Sequence, residues 1–244
     1  MPRFRQWTPR YVYDRLGLMF YQHKHPTAPW LSRASVEILE NWLKPCDRGI
    51  EWGSGRSTIW FAERVGFLVS VEHNPDWYQW VSAELERKKL RNVEYHLCQE
   101  HRQYCGVTEK FPAESFDFCL VDGEERDQCA LDALSLVKPG GIVIADNCNW
   151  YLPTLSRSPL SRRPEQGPYS EKWAAYLDAV KGWRQVWTTN GVFDTGLWVK
   201  RADAGELDYR AWRYSSRGHV DAASALGDLD EAIPRARVAG GGPR

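Results

Sequence analysis

The chain has 244 residues, with 32 basic and 32 acidic side chains. A neutral chain carries no global field to draw it onto nucleic acid or an anionic membrane, so neither is an expected partner. Hydrophobic residues make up 43% of it, enough for one sizeable α/β core or two small ones.

No stretch approaches the ~20 apolar residues needed to span a bilayer. The N-terminus lacks the apolar run and small-residue cleavage pattern of a secretory leader. The six cysteines form no CxxC pair, and Cys98 and Cys119 lie in strand-like runs where cysteine behaves as a small buried hydrophobe. Together these imply a reducing, cytoplasmic setting. The 13 tryptophans either line a binding surface or supply bulky core and lid packing, the second being the expected reading.

Residues 1–45 read as an arm and helical cap. The first 30 are aromatic, basic and punctuated by proline. SRASVEILENWL (32–43) then places Val36, Leu39 and Leu43 on one helical face, with Ser32 as N-cap and Pro45 as the stop.

Residues 46–202 read as one domain of alternating strands and helices. Strands are expected at 48–52, 67–72, 92–98, 116–122 and 142–146. Helices are expected at 56–65, 76–90 and 125–137, the last stopped by the PGG at 139–141. Such alternation means a parallel sheet covered on both faces, and near-continuous apolar runs such as IVIA fit strands buried on both sides.

Residues 152–170, rich in Pro, Ser and Arg, read as a long lid-like or disordered loop. A helix follows at 170–180. Strands at 184–189 and 196–200 flank a tight turn and so pair antiparallel. Residues 203–244 read as a disordered tail outside the fold.

Ligands of open parallel sheets bind beyond the carboxyl ends of the strands. In this chain those ends carry Glu51 with Gly53, Ser54 and Gly55, then Glu72, then Gln99 and Glu100, then Asp122, then Asp146 and Asn147. A buried strand gains nothing from a carboxylate that has no partner. The glycine turn lacks the phosphate-loop pattern, and the dinucleotide pattern would need glycine where Thr58 stands. Glu51, two residues before the first glycine, would repel a diphosphate and attract an ammonium. The helix start beyond it has unpaired N–H groups suited to a carboxylate. Those two groups belong to an amino acid. Glu72 is placed to accept from vicinal ribose hydroxyls. An amino acid plus ribose without phosphate describes S-adenosylmethionine.

IEWGSGRST, SVEHN, FDFCLVDG and LVKPGGIVIADN, in that order, resemble the successive motifs of class I S-adenosylmethionine-dependent methyltransferases over roughly residues 35–200. The resemblance implies an α/β, Rossmann-like, seven-stranded and mostly parallel sheet, with helices on both faces and an antiparallel last strand. It places Glu51, Gly53, Ser54 and Gly55 on the methionine part, with Ser57 and Thr58 at the helix start beside them. Ser57 stands where the family often has a third glycine. Glu72 would hold the ribose and His73 flank the cofactor edge. Gln99 and Glu100 would lie near the adenine, and Asp122 would border the cofactor.

Asp122, Asp146 and Asn147 also match the metal ligands of small metal-dependent O-methyltransferases of the catechol and caffeoyl-CoA type. That resemblance implies a Mg²⁺ holding the acceptor's oxygens, which would lower a hydroxyl pKa and aim the oxygen at the methyl. That family places a lysine base three residues after the first Asp. This chain has Glu125 there, making Asp122 and Glu125 the catalytic candidates. The other reading is that Asp122 only borders the cofactor and Asp146 with Asn147 shapes a turn.

The Asn/Asp-Pro-Pro-aromatic signature of N-methyltransferases is absent, VDGEER standing in its place. His23 and His25 are either base candidates on the arm or solvated. Arg157, Arg162 and Arg163 either grip an anionic substrate or belong to a solvated loop. Trp150 and Tyr151 either wall an acceptor pocket or pack. The expected function is methyl transfer to a small-molecule acceptor, at oxygen, with the oligomeric state open and a homodimer one option. The alternatives are a nicotinamide-dependent oxidoreductase on a related sheet and a non-catalytic S-adenosylmethionine-binding protein.

Overall fold

A computed structural model describes residues 8–202, and the expected tail, 203–244, lies outside the described residues. The elements in chain order are α1 (Pro9–Lys24), α2 (Arg33–Trp42), β1 (Arg48–Trp52), α3 (Arg56–Ala62), β2 (Phe67–Glu72), α4 (Pro75–Lys88), β3 (Val93–Leu97), α5 (His101–Gly106), β4 (Phe116–Val121), α6 (Arg126–Leu136), β5 (Val137–Asp146), α7 (Glu171–Ala179), β6 (Arg184–Thr189) and β7 (Asp194–Val199). The seven strands form one sheet in the order β3-β2-β1-β4-β5-β7-β6. β1 to β5 pair in parallel. β7 runs antiparallel between β5 and β6. The order reverses between β1 and β4, so a crevice opens at their carboxyl ends.

Alternation along the central strands sends side chains to two cores. On β4, Cys119 and Val121 face a cluster with Tyr104 of α5, Ala130 and Ala133 of α6, and Trp173 and Tyr176 of α7. Phe118 and Leu120 face the other side, against Val36 and Leu39 of α2 and Trp60 and Phe61 of α3. Cys98 and Cys119 are buried, as their strand-like surroundings predict. Among the described residues no helix is long and apolar enough to cross a membrane.

Three elements differ from the sequence expectation. Residues 9–24 form a regular helix, started by Pro9 at N1 and by Thr8, whose hydroxyl accepts from the Tyr11 amide at 3.1 Å. Apolar periodicity fails to show it, because Tyr13, Leu16 and Phe20 face solvent while only Leu18 is buried. A short helix, α5, forms at 101–106 without a distinct apolar pattern. β5 begins at Val137 rather than at 142, with extra residues bulged out between the pairs Phe116–Val137 and Phe118–Ile142.

The 152–170 segment is tied down rather than free. Asn149 is fully buried. Its Nδ2 donates to Pro159 O at 3.2 Å and to Ser161 Oγ at 3.1 Å, while its Oδ1 accepts from Asp194 N at 3.1 Å. The buried Asp194 carboxylate accepts from Ser158 Oγ at 2.5 Å and from Trp187 Nε1 at 2.8 Å. Removing it would strand two donors and release the loop. Asp194→Ala is therefore expected to cost about 2–4 kcal/mol in urea melts and to open 152–170 to limited proteolysis. Unchanged protease resistance would show that other contacts hold the loop.

Candidate active site

A cavity of about 510 Å³ sits at the carboxyl edge of the sheet, at the reversal of strand order. Its floor is made by Gly53, Ser54 and Gly55 after β1, Glu72 and His73 after β2, Asp122 and Gly123 after β4, and Asp146 and Asn147 at the end of β5. Arg56 and Ser57 of α3 and Trp77 of α4 add to the wall. Arg15, Leu18 and Gln22 of α1 and the following Trp30 form its roof.

The glycine turn is shaped by contact with the neighbouring strand end. Gly53 has φ +94°, and a Cβ there would lie 2.6 Å from Gly123 N and 2.8 Å from Asp122 C. The two backbones touch, which only glycine permits. Behind the turn, Glu51 is fully buried. Its Oε1 accepts from Ser70 Oγ at 2.7 Å and from Thr58 Oγ1. Thr58 Oγ1 in turn accepts from Gly55 N at 3.0 Å. Burial pushes the Glu51 carboxyl up to about 7, with the hydroxyls of Thr58 and Ser70 pulling it back. Glu51 and Thr58 thus hold the turn from behind and are not among the cavity-lining residues.

Glu72 lines the cavity, yet its carboxylate is filled by the protein. Oε2 accepts from Ser54 N at 2.9 Å and Ser54 Oγ at 2.6 Å. Oε1 accepts from His73 N at 2.9 Å and Asn74 N at 2.8 Å. A carboxylate has about four acceptor sites, so a ribose hydroxyl would have to take the place of Ser54 Oγ. That hydroxyl has a second partner in reach, Tyr95 OH at 2.6 Å. His73 Nδ1 lies 3.2 Å from Glu72 Oε1. Gln99 and Glu100 are exposed at the start of α5 and lie outside the cavity wall.

Asp122, Asp146 and Asn147 do come together, but around a guanidinium. Arg126 Nη2 donates to Asp122 O at 2.7 Å and Asp122 Oδ1 at 3.1 Å. Nη1 donates to Asp146 O at 2.7 Å and Asn147 Oδ1 at 3.1 Å, and Nε to Gly123 O at 2.9 Å. The residues expected to hold Mg²⁺ therefore do not fit it: a fixed positive charge already takes Asp122 Oδ1 and Asn147 Oδ1, and Asp146 Oδ1 accepts from Thr195 Oγ1. Among the described residues no group of three or more His, Cys, Asp or Glu is arranged to hold a metal.

Burial pushes the Asp122 carboxyl up to about 6 against the pull of Arg126. Asp146 is raised well above the carboxylate range by burial and then by Asp122, while Thr195 Oγ1, donating at 2.6 Å, pulls it back. Burial thus raises both carboxyls, and a shifted pKa in a cleft marks a candidate functional group.

Glu125, the other catalytic candidate, is not in the cavity wall and pairs with His101 Nδ1 at 2.9 Å. His23 is exposed, and His25 stacks on Tyr21 with ring centroids 4.5 Å apart. Neither histidine lines the cavity. Arg162 donates to Gly167 O and Gln166 O, and Arg163 to Ser156 O, within their own loop. Tyr151 stacks on Trp173 at 5.6 Å and packs rather than walling the cavity, and Trp150 is also outside the wall.

No protein-family model and no curated protein matches the chain in sequence. Solved structures do match it in shape. One, described as an O-methyltransferase from Klebsiella pneumoniae, is 19% identical with a TM-score of 0.51, over 80% of this chain and 91% of its own. Another, described as an rRNA methylase from Clostridium thermocellum, is 13% identical with a TM-score of 0.51, over 71% of this chain and 98% of its own. The chain has the class I methyltransferase fold. At these identities the likeness concerns the fold alone.

On this class I sheet, Arg15, Gln22, Trp30, Arg56, Trp77, Gly123, Arg126 and Phe193 also line the cavity, beyond the residues that the motifs single out. Gly123 and Arg126 had a local signal, since they directly follow the Asp122 strand end. The α1 residues, Trp30 and Trp77 had none.

Proposed function

We propose that the chain is a cytoplasmic methyltransferase that uses S-adenosylmethionine and methylates a small molecule at oxygen, without a metal. The observation that carries the reading is the cavity at the strand-order reversal, lined by the glycine turn, Glu72, Asp122 and Asp146. Its wall carries charges of both signs, as a zwitterionic sulfonium donor would need. Arg15 and Arg56 are the lining cations that a carboxylate would meet, and Asp122 and Asp146 the lining carboxyls that an ammonium or sulfonium would meet. The turn backbone and Glu72 would hold the donor once Ser54 Oγ moves to Tyr95. S-adenosylmethionine supplies an electrophilic methyl on a sulfonium. The chain's own part is to position the acceptor in line and to receive its proton. Asp122 and Asp146, the raised carboxyls in the cavity wall, would receive it.

A small acceptor is favoured over a nucleic acid by the α1 roof and by the zero net charge. The two fold neighbours, described as an O-methyltransferase and an rRNA methylase, span both choices. Calorimetry decides the donor: S-adenosylhomocysteine is expected to bind one per chain and NAD to give no heat. Binding of NAD alone would make the chain an oxidoreductase. With methyl-tritiated donor, label is expected in small hydroxylated acceptors. Label appearing in total RNA instead would replace the small-molecule reading, and binding without any turnover would leave a donor-binding protein.

A further inference from the structure

We propose that the Arg126 guanidinium is the resident cation of this site, standing where a divalent metal would, so that the site functions without one. Five oxygens converge on this side chain. They are Asp122 O and Oδ1, Gly123 O, Asp146 O and Asn147 Oδ1, all at 2.7–3.1 Å. A guanidinium has five N–H donors, and these five contacts match them in number. Carbonyl, carboxylate and amide oxygens are also the ligand types a hard divalent cation takes. The oxygen cage is therefore of the kind that holds a metal, and the chain fills it from within.

The local backbone explains how. Glu125 adopts a left-handed conformation, φ 46°, at the start of α6. That turn presents Arg126, the first helical residue, to the ends of β4 and β5. The Tyr151 ring, 5.8 Å from the guanidinium carbon, covers it on another side. Only 15% of the side chain is exposed. An arginine stays charged at any working pH, so a metal entering this cage would meet a like charge with nowhere to go.

Arg126 is a positioning residue. It joins the ends of β4 and β5 through the main-chain carbonyls of Asp122 and Asp146. The consequence for chemistry rests on the methyltransferase reading, but the occupancy of the cage does not.

Mn²⁺ binding, read by the electron paramagnetic resonance signal of the free ion, tests it on the full chain stripped with EDTA. Wild type is expected to show no Mn²⁺ site that depends on Asp122. Arg126→Ala empties the cage and is expected to bind one Mn²⁺ at least about tenfold more tightly than wild type. Adding Asp122→Asn should abolish that gain. Arg126→Lys keeps a cation in place and should remain blind to Mn²⁺.

An Asp122-dependent Mn²⁺ site in wild type would overturn the proposal, as would an Arg126→Ala chain no tighter than wild type. If Arg126→Ala is unfolded alone, folding on addition of Mn²⁺ supports the proposal, and failure to fold with Mn²⁺ counts against it. S-adenosylhomocysteine calorimetry on wild type separates this outcome from a failure of the functional reading.

Discussion

Gly53→Ala is expected to lower stability by about 3–5 kcal/mol and to weaken S-adenosylhomocysteine binding at least ~100-fold. Two costs add. At φ +94° an alanine is strained whatever space surrounds it. Its methyl would also fall 2.6–2.8 Å from the backbone of Gly123 and Asp122, and backbone cannot turn aside as a side-chain tip can. The ends of β1 and β4 would have to separate, and both floor the cavity. Gly55→Ala is the control, because a Cβ there meets nothing within 4 Å. It should keep stability within about 1 kcal/mol of wild type. Urea melts and calorimetry on both variants measure the difference. Equal losses of stability would remove the close approach as the cause.

Glu51→Gln is expected to stabilise the chain at pH 8 by about 2 kcal/mol and to change little at pH 5. Burial raises the Glu51 carboxyl from 4.5 to about 7. Between those values the folded chain keeps a proton that the unfolded chain releases. Stability from this group is therefore highest below about pH 4.5 and falls as pH rises to about 7, by about 3 kcal/mol in all. Glutamine cannot ionise and escapes that loss. It also gives up the charge-assisted hydrogen bonds from Thr58 and Ser70, which trims the gain. Asp122 and Asp146 are raised as well, so a reduced fall with pH should persist in the variant. Denaturant melts at pH 5 and pH 8 read the effect. A wild type equally stable at both, with Glu51→Gln no better at pH 8, would show that Glu51 is not buried as described.

The central strands were legible because their signals are local. FLVSVE and RQVWTT coincide with β2 and β6 to the residue, and Ser32 caps α2 as its position before the apolar face predicts. Of the strand-end residues, Gly53, Ser54, Gly55, Glu72, Asp122, Asp146 and Asn147 line one cavity, since a parallel sheet brings its carboxyl ends to one edge, while Glu51 lies behind the turn and Gln99 and Glu100 lie outside the wall. Other signals failed for physical reasons. α1 exposes much of its apolar face, so periodicity pointed nowhere. Glu125 and Arg126 are neighbours on the chain, and which of them turns inward depends on one left-handed residue. Composition reads 152–170 as a free loop, because nothing in that segment announces that Asn149 and Asp194 will hold it.

Sequence alone determined the alternation of strands and helices, the sheet class and the set of polar groups at the strand ends. Each of these follows from residues adjacent or periodic along the chain. Only the tertiary structure decided what those groups do. Glu51 supports the turn from behind, Glu72 has its oxygens filled by Ser54, His73 and Asn74, and Arg126 donates to oxygens at the ends of β4 and β5. Such roles depend on which donors lie within about 3 Å of an acceptor. Where those donors come from different strand ends, that distance is set by the packing of the whole sheet.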